Sequence, residues 1–187
     1  MTTKEKILKA CLKIASKEGT KGTSMSKIAN EVGISKSSLY YYYKTKDEMI
    51  LDMYNTFRNQ KTTKFELPKN QDPLLTIANA FKNYLLLCQN AEMRQIYTII
   101  ESEKFTSAIA RELYLAETHK MIMLSKALFK QLFPALKEDE LDEKAQIYAF
   151  YAHELIILVI LNDQEYSLSY ALTLITSFVQ KCILENA

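Results

Sequence analysis

Residues 24–44 read SMSKIANEVGISKSSLYYYYK, and this stretch decides the fold of the amino-terminal part of the chain. Its spacing is that of a helix-turn-helix: apolar residues stand where two short helices touch, a small residue where they cross, and a glycine at the turn. These positions hold Ile28, Val32, Ile34, Leu39 and Tyr42, then Ala29, then Gly33. Glycine suits the turn because it adopts a positive φ without steric cost. The pattern predicts helices at Met25–Val32 and Lys36–Tyr43.

The outward side of the second predicted helix carries no acidic residue. At 100° per residue from the buried Leu39, this side collects lysine, serine and tyrosine side chains. They are Ser37, Tyr40, Tyr41 and Lys44, flanked by Lys36 and Ser38. Such groups donate hydrogen bonds to phosphates or meet base edges, which favours DNA binding over the competing interpretation, a purely structural helical hairpin. We expect Tyr42 and Tyr43 to lie in an aromatic core instead.

The charge distribution agrees with a polyanionic partner for this region only. Residues 1–50 contain 10 lysines and 5 acidic residues, a net charge of +5, whereas the whole chain carries only +2. A basic segment on a mildly acidic body indicates nucleic acid as the partner of that segment. The alternative is a helical interaction module whose basic part meets an acidic protein.

The remaining sequence predicts helices throughout. Three Gly and three Pro in 187 residues leave long stretches without turn signals, and 48% hydrophobic residues suffice for a sizeable core. Capping boxes start helices at Thr2-x-x-Glu5 and Thr45-x-x-Glu48, and Gly19 ends the first helix as a left-handed cap. After a connection at Thr62–Asp72, we expect helices at Pro73–Gln89, Glu92–Glu103, Thr106–Phe133, Glu140–Asn162 and Ser167–Glu185.

The predicted fold class is therefore all-α, with about nine helices. We expect a helix-turn-helix DNA-binding domain at residues 1–46 and a helical effector-binding and dimerisation domain at residues 47–187.

The sequence offers no recognisable catalytic, cofactor or metal motif. The two histidines, His119 and His153, fall on different predicted helices, and no phosphate loop or nucleophile elbow occurs. Cys11, Cys88 and Cys182 are widely spaced, so we expect three buried free thiols rather than disulfides or a zinc site. No signal peptide or membrane span is recognisable, and a cytoplasmic, non-enzymatic protein is expected.

The stretch TSMSKIANEVGISKSSLYYYYKTKDEMI, residues 23–50, closely resembles the signature of the tetracycline-repressor (TetR) family. The resemblance covers roughly the first 60 residues. Two departures are visible: Ser37 stands where glycine is frequent, and Tyr43 stands where phenylalanine is usual.

The resemblance implies a homodimeric transcriptional regulator that binds a palindromic operator and releases it when a small molecule binds. Carried over by position, Lys36, Ser37 and Tyr41 become candidates for base-edge contacts. Ser24, Ser38, Tyr40 and Lys46 become candidates for phosphate contacts, as does Tyr42 if it does not support the core. Activation in place of repression stays open.

The last two predicted helices are apolar on more than one face and therefore need cover on all sides. A partner subunit supplies such cover, and this resembles the four-helix dimer interface of the family. The predicted interface residues are Ile147, Tyr151, Leu155, Leu168, Leu172, Ile175, Phe178 and Val179.

For the effector, aromatic and methionine side chains of the middle helices suit an adaptable, mostly apolar pocket. The weak candidates are Phe81, Tyr84, Met93, Tyr97, Glu101, Phe105, His119, Met123 and Tyr151. The polar residues among them are better explained as surface or satisfied core groups than as ligand contacts.

Overall fold

The computed structural model describes residues 1–59, 72–161 and 167–185, and these ranges contain nine α helices and no strand. The helices are α1 (Thr3–Gly22), α2 (Met25–Val32), α3 (Lys36–Tyr42), α4 (Lys46–Asn59), α5 (Pro73–Cys88), α6 (Ala91–Glu103), α7 (Ala108–Leu132), α8 (Glu138–Ile160) and α9 (Leu168–Leu184). The all-α prediction is confirmed. Of the predicted connection at Thr62–Asp72, only Asp72 lies within the described residues, and the predicted helix end at Asn162 lies outside them.

The start of α1 forms as the sequence predicts, but its end does not. Thr2 Oγ1 accepts from the Glu5 N–H, and Glu5 Oε2 accepts from the Thr2 N–H, which completes the capping box. Gly19 has the predicted positive φ of 75°, yet its ψ of 167° interrupts the helix rather than ending it. One further turn follows as far as Gly22, so the prediction of a terminal cap at Gly19 is wrong.

The helix-turn-helix has the predicted turn. Gly33 lies in the left-handed region at φ 76° and ψ 33°, and the Ile34 N–H donates to the Ala29 carbonyl at 3.0 Å. Ile28, Ala29 and Leu39 are fully buried where α2 and α3 pack together. These contacts fix α3 against α2 and leave its other side outward.

Helix α4 begins with a variant of the predicted capping box. Thr45 Oγ1 accepts from the Glu48 N–H, as expected. The Glu48 carboxylate instead accepts from the Lys44 N–H at 2.9 Å, one residue earlier than in the standard motif. The side chain of Glu48 thereby ties the start of α4 to the chain that leaves α3.

Two compact units can be distinguished. The first comprises the described parts of residues 1–63 and 90–114, in which α1 packs against α2, α4 and α6. Its core includes Ile7, Leu8, Met49 and Met53, each at most 2% exposed.

The second unit comprises the described parts of residues 64–89 and 115–187, with α5, α8 and α9 packed together. Asp72 caps α5, with Pro73 at its first position, as the sequence predicts. Helix α7 ends at Leu132, just before Pro134, which supports the proline as its stop signal. An aromatic cluster of Phe129, Tyr148 and Phe178 lies in this unit.

The three cysteines are buried thiols, as expected. Burial raises the pKa of the Cys11 thiol to about 12, although Lys46 acts in the opposite direction. A thiol in this state is protonated and unreactive at neutral pH. Among the described residues, no helix is long and apolar enough to cross a membrane, and no cluster of three metal-ligating side chains occurs.

Candidate DNA-binding surface

Serine hydroxyls begin both helices of the motif. Ser24 Oγ accepts from the Lys27 N–H at 3.2 Å, and Ser35 Oγ accepts from the Ser38 N–H at 3.0 Å. Such caps satisfy amides that the helix leaves free. Ser24 is a predicted phosphate contact. Its hydroxyl oxygen already accepts a hydrogen bond within the protein, so a contact with phosphate would use the hydroxyl hydrogen as donor. Ser35 is absent from the predicted site, although its position before the helix is a recognisable capping signal.

Ser35 also joins the two serines that follow it. Its Oγ lies 2.8 Å from Ser37 Oγ and 2.7 Å from Ser38 Oγ. All three side chains are exposed, and their mutual hydrogen bonds hold them in fixed rotamers. Ser37 and Ser38 are thus displayed as an ordered polar group at the start of α3.

Two tyrosines on the outward face of α3 differ in solvent exposure. Tyr41 is 81% exposed and Tyr40 is 40% exposed. The Lys36 ammonium lies 5.9 Å from the centre of the Tyr40 ring, so the cation and the ring support each other. An exposed tyrosine on a short, well-anchored helix is available to bases or phosphates.

The assignment of Tyr42 to the core is wrong, whereas that of Tyr43 is right. Tyr42 is 37% exposed and meets the edge of the Tyr41 ring at 5.4 Å. Tyr43 is only 2% exposed. Tyr42 is the last residue of α3, and Tyr43, directly after it with an extended φ of −138°, is the residue that enters the core. Tyr42 therefore remains on the surface with the other candidates.

Ion pairs neutralise much of the basic segment away from α3. Four of its lysines contact carboxylates: Lys4 with Asp52, Lys9 with Glu92, Lys13 with Glu31 and Lys27 with Glu18. Among the residues with described side chains, no carboxylate pairs with Lys36 or Lys44. The Lys44 ammonium donates only to the Tyr40 carbonyl, at 3.3 Å, and stays exposed. Lys36 and Lys44 thus keep their positive charge on and beside α3.

Lys46 differs from the other candidates because its side chain turns inward. Its ammonium donates to the Thr20 carbonyl at 2.9 Å, in the interrupted part of α1. The predicted phosphate contact through this ammonium requires the bond to break, although the backbone amide at the start of α4 stays available.

Comparison with known proteins agrees with this geometry. Residues 7–53 match the family of bacterial regulatory proteins described as the tetR family. This match covers the helix-turn-helix and the helices on either side of it. An uncharacterized HTH-type transcriptional regulator from Bacillus subtilis (strain 168), YerO, is 38% identical over 48 residues, which are 26% of this chain and 17% of that protein. The match thus spans less than a fifth of that relative's length.

Solved structures with the TetR-like fold cover nearly the whole chain. A transcriptional regulator from Rhodococcus sp. Rha1 superposes with a TM-score of 0.73 over 96% of this chain and 95% of its own, at 18% identity. AibR, solved in complex with isovaleryl coenzyme A and operator DNA, gives a TM-score of 0.68 over 94% and 96% of the two chains, at 14% identity. At these identities the likeness establishes the fold alone.

Within the matched region, every polar group of Thr20 forms a hydrogen bond. Glu103, at the end of α6, accepts from the Thr20 N–H at 2.6 Å with one oxygen and from the Thr20 hydroxyl with the other. The Thr20 carbonyl accepts from Lys46, as described above. Because Gly19 interrupts α1, these groups are turned away from the α1 hydrogen-bond ladder and towards α4 and α6. Sequence reasoning did not find this contact, since its partners stand 83 residues apart.

A cavity of about 210 Å³ lies beside the same residues, lined among others by Thr20, Lys46, Tyr54 and Ser107. None of the predicted effector contacts lines it. Tyr54 is 1% exposed, and its hydroxyl has no hydrogen-bond partner among the described residues. Burial, followed by the nearby Glu103 carboxylate, raises the pKa of Tyr54, so the hydroxyl stays protonated.

The predicted effector contacts do not share one environment. Met93, Tyr97, Glu101 and Phe105 lie in the first unit, whereas Phe81, Tyr84, His119, Met123 and Tyr151 lie in the second. Phe105 is 82% exposed and Met123 is 71% exposed, so neither lines an enclosed pocket in this conformation. Glu101 pairs with Lys104 at 2.6 Å, which agrees with its interpretation as a satisfied polar group.

Some of the predicted dimer-interface residues are buried within a single copy of the chain, and the others are at least partly exposed. Leu155, Ile175 and Val179 are at most 2% exposed, so they pack inside the second unit and are not available to a partner. Ile147 is 47% exposed, and Tyr151, Leu168, Leu172 and Phe178 are partly exposed. Phe150 and Tyr170, at 54% and 44% exposure, add apolar surface that the predicted set omits.

Proposed function

We propose that the protein is a ligand-responsive transcriptional repressor that binds a palindromic operator as a homodimer and is released by a small molecule. In this proposal residues 1–46 read DNA, and residues 47–187 bind the effector and form the dimer. The partners are double-stranded DNA, a second copy of the chain and an effector that suits a mostly apolar pocket. The site of action is the cytoplasm.

The observation that carries the proposal is the outward face of α3. Lys36, Tyr40 and Tyr41 are exposed there, and Lys44 is exposed just beyond the end of the helix. Among the residues with described side chains, no carboxylate pairs with either lysine. A helix-turn-helix of this kind places its second helix in the major groove. Lys36, Ser37 and Tyr41 would then face base edges, while Ser24, Ser38, Tyr40, Tyr42, Lys44 and Lys46 would lie near phosphates.

A two-fold operator requires a two-fold protein. The exposed apolar residues of α8 and α9 supply a surface for such a dimer, Ile147, Phe150 and Tyr170 among them. Two copies pairing these helices would bury the apolar side chains that a single chain leaves in water.

Regulation by a small molecule requires an effector that binds one arrangement of the two DNA-binding regions better than the other. AibR, which shares the fold, has been solved with isovaleryl coenzyme A and operator DNA together. For this chain we infer that α4 transmits the change, because it follows the motif directly and packs against both α1 and α6. Titrations that leave operator affinity unchanged for every class of compound would remove the regulated switch and leave DNA binding intact.

The DNA-binding claim is tested by selecting preferred sites from a pool of random duplexes and measuring affinity by fluorescence anisotropy. We expect an inverted repeat to be enriched, with an affinity that falls steeply as salt rises because phosphate binding releases counterions. Substituting Tyr41→Ala should weaken the selected site about tenfold to hundredfold, equivalent to about 1–3 kcal/mol, with little change for random DNA.

The matched control for charge uses two lysines of the basic segment. Lys36→Ala and Lys6→Ala each remove one exposed positive charge, but only Lys36 lies on the outward face of α3. Lys36→Ala should change the selected sequence, whereas Lys6→Ala should leave it unchanged. Equal effects of both variants, or retention of DNA without any sequence preference, would favour an electrostatic interaction module over an operator-binding protein.

Dimerisation is tested by a charge on the exposed apolar surface. Phe150→Asp should convert the dimer to a monomer in light scattering, because it would bury an unpaired carboxylate at the interface. Leu86→Asp, at 51% exposure on α5, is the control and should leave the mass unchanged. A wild-type protein that is monomeric at micromolar concentration, or a Phe150→Asp variant that is still dimeric, would contradict the proposed interface.

A further inference from the structure

A polar contact joins the end of the recognition helix α3 to helices α4 and α1. The Tyr43 hydroxyl donates to Asp52 Oδ2 at 2.6 Å. The same carboxylate oxygen lies 2.8 Å from the Lys4 ammonium, and Thr56 donates to the other oxygen at 3.4 Å. Three helices therefore meet at one side chain, that of Asp52.

The donor of this contact is buried, unlike the lysines of the surface ion pairs. Tyr43 is 2% exposed, and its ring lies under the Lys4 ammonium at 5.7 Å. A buried hydroxyl that donates to a carboxylate makes a short, directional bond, and such bonds are stronger than those between neutral groups. The Lys4–Asp52 pair alone, with side chains 54% and 31% exposed, would contribute little. The bond from Tyr43 therefore carries most of the directional restraint.

The charge on Asp52 is maintained at neutral pH. Partial burial acts to raise its pKa, but hydrogen bonds from Lys4 and Tyr43 outweigh this and hold the pKa below its usual value. Tyr43 is held neutral in turn, since burial and the Asp52 carboxylate raise the pKa of its hydroxyl. The donor and the acceptor thus keep their roles across the physiological range.

The position of Tyr43 explains why this bond matters to α3. Tyr43 is the residue directly after α3, and its N–H still donates to the Leu39 carbonyl at 3.1 Å. Leu39 is the single fully buried residue described in this seven-residue helix. A single buried side chain, Leu39, fixes how close α3 lies to α2 but still allows the helix to rotate about that contact. The hydrogen bond of Tyr43, at the end of the helix, prevents this rotation.

We propose that Asp52 is a positioning residue for DNA recognition: by accepting from Tyr43 it sets the angle of α3 on α4, and by pairing with Lys4 it ties both to α1. This proposal rests on the DNA-binding function proposed above. A displacement of α4 either carries the end of α3 with it or breaks the bond, so the contact also couples the two helices. Phenylalanine, usual at position 43 in the family that this region resembles, lacks the hydroxyl that makes the bond.

The test compares Tyr43→Phe with the wild type in the full chain. This variant keeps the ring in the core and removes only the hydroxyl, so the fold is retained. We expect affinity for the selected operator to fall about tenfold while affinity for random DNA changes less than twofold, because orientation matters only for base contacts. Hydrogen exchange in the DNA-free protein should speed up at the amides of residues 36–42, a readout that does not depend on DNA.

Two substitutions of Asp52 distinguish the loss of its hydrogen-bond acceptor from the loss of its negative charge. Asp52→Asn keeps an oxygen that accepts from Tyr43 and should retain most of the operator affinity, whereas Asp52→Ala should lose at least as much as Tyr43→Phe because it also removes the Lys4 pair. The double variant Tyr43→Phe/Asp52→Ala should be no worse than Asp52→Ala alone, since Asp52→Ala has already removed the bond from Tyr43.

The possible failures are distinguishable. Additive effects in the double variant, equal losses on operator and random DNA, or unchanged hydrogen exchange in α3 would overturn the positioning role. If the wild type shows no sequence preference while Tyr43→Phe still loosens α3, the proposed function fails and the positioning of α3 by Asp52 stands.

Discussion

Gly19→Ala should lower the free energy of unfolding by about 2–5 kcal/mol, far more than an ordinary surface substitution. The φ and ψ of 75° and 167° lie in a region essentially restricted to glycine, where a side chain costs about 1–3 kcal/mol. A Cβ at this position would also stand 2.7 Å from Glu103 Oε1, the oxygen that accepts from the Thr20 N–H. Displacing that carboxylate leaves part-buried donors unsatisfied, at a further cost of about 1–3 kcal/mol. Urea denaturation followed by circular dichroism measures the change.

The chain offers a matched control in Gly33→Ala. Gly33 has almost the same φ, 76°, but nothing lies within 4 Å of the Cβ that alanine would add. Its cost should be limited to the left-handed conformation, about 1–2 kcal/mol. The double variant Gly19→Ala/Glu103→Ala should lose less stability than the two single variants together, because the collision disappears with the carboxylate. Equal losses for Gly19→Ala and Gly33→Ala would show that Glu103 does not hold Thr20.

Leu39→Ala should lower the free energy of unfolding of the amino-terminal region by about 2–5 kcal/mol, the range for large-to-small changes in a core. Leu39 is 0% exposed and anchors α3 on α2, so its removal leaves a cavity directly beneath the recognition helix. We expect operator binding to be lost together with stability. Thermal unfolding and fluorescence anisotropy on the same preparation measure both effects.

Two further leucine substitutions serve as controls for Leu39→Ala. Leu51→Ala truncates a side chain that is 46% exposed on α4 and should change stability by less than about 0.5 kcal/mol. Leu39→Met conserves the volume and should cost less than about 1.5 kcal/mol. Wild-type operator affinity in Leu39→Ala would contradict the role of this residue as the anchor of α3.

Some of the contacts that these variants remove can be predicted from the sequence, and others cannot. The contacts that begin and turn the helices are local: Thr2 with Glu5, Ser24 with Lys27, and Gly33 with Ala29. Each joins residues three or four apart, so residue type and spacing suffice to predict it. The same is true of Leu39 and Ile28, whose burial follows from helical periodicity.

The candidate site was predicted in part for the same reason. The outward position of Tyr41, two residues after the buried Leu39, follows from 100° per residue, and Tyr41 is exposed. Tyr42, three residues after Leu39, is placed incorrectly by the same rule: it is the last residue of α3, and Tyr43, in an extended conformation directly after it, is the buried residue. Helix ends are the point at which local patterns lose their predictive value, since the terminal residue is chosen by the packing of the next element.

The helix-turn-helix, its caps and the acid-free face of α3 were therefore determined by the sequence itself, through interactions within one or two helical turns. Only the tertiary structure decided that Lys46 bonds to Thr20, that Glu103 reaches the same residue across 83 positions, and that Tyr43 turns its hydroxyl to Asp52. The physical reason is the range of each interaction. A cap is complete within its own segment, whereas a hydrogen bond between helices exists only after hydrophobic packing has brought the helices together.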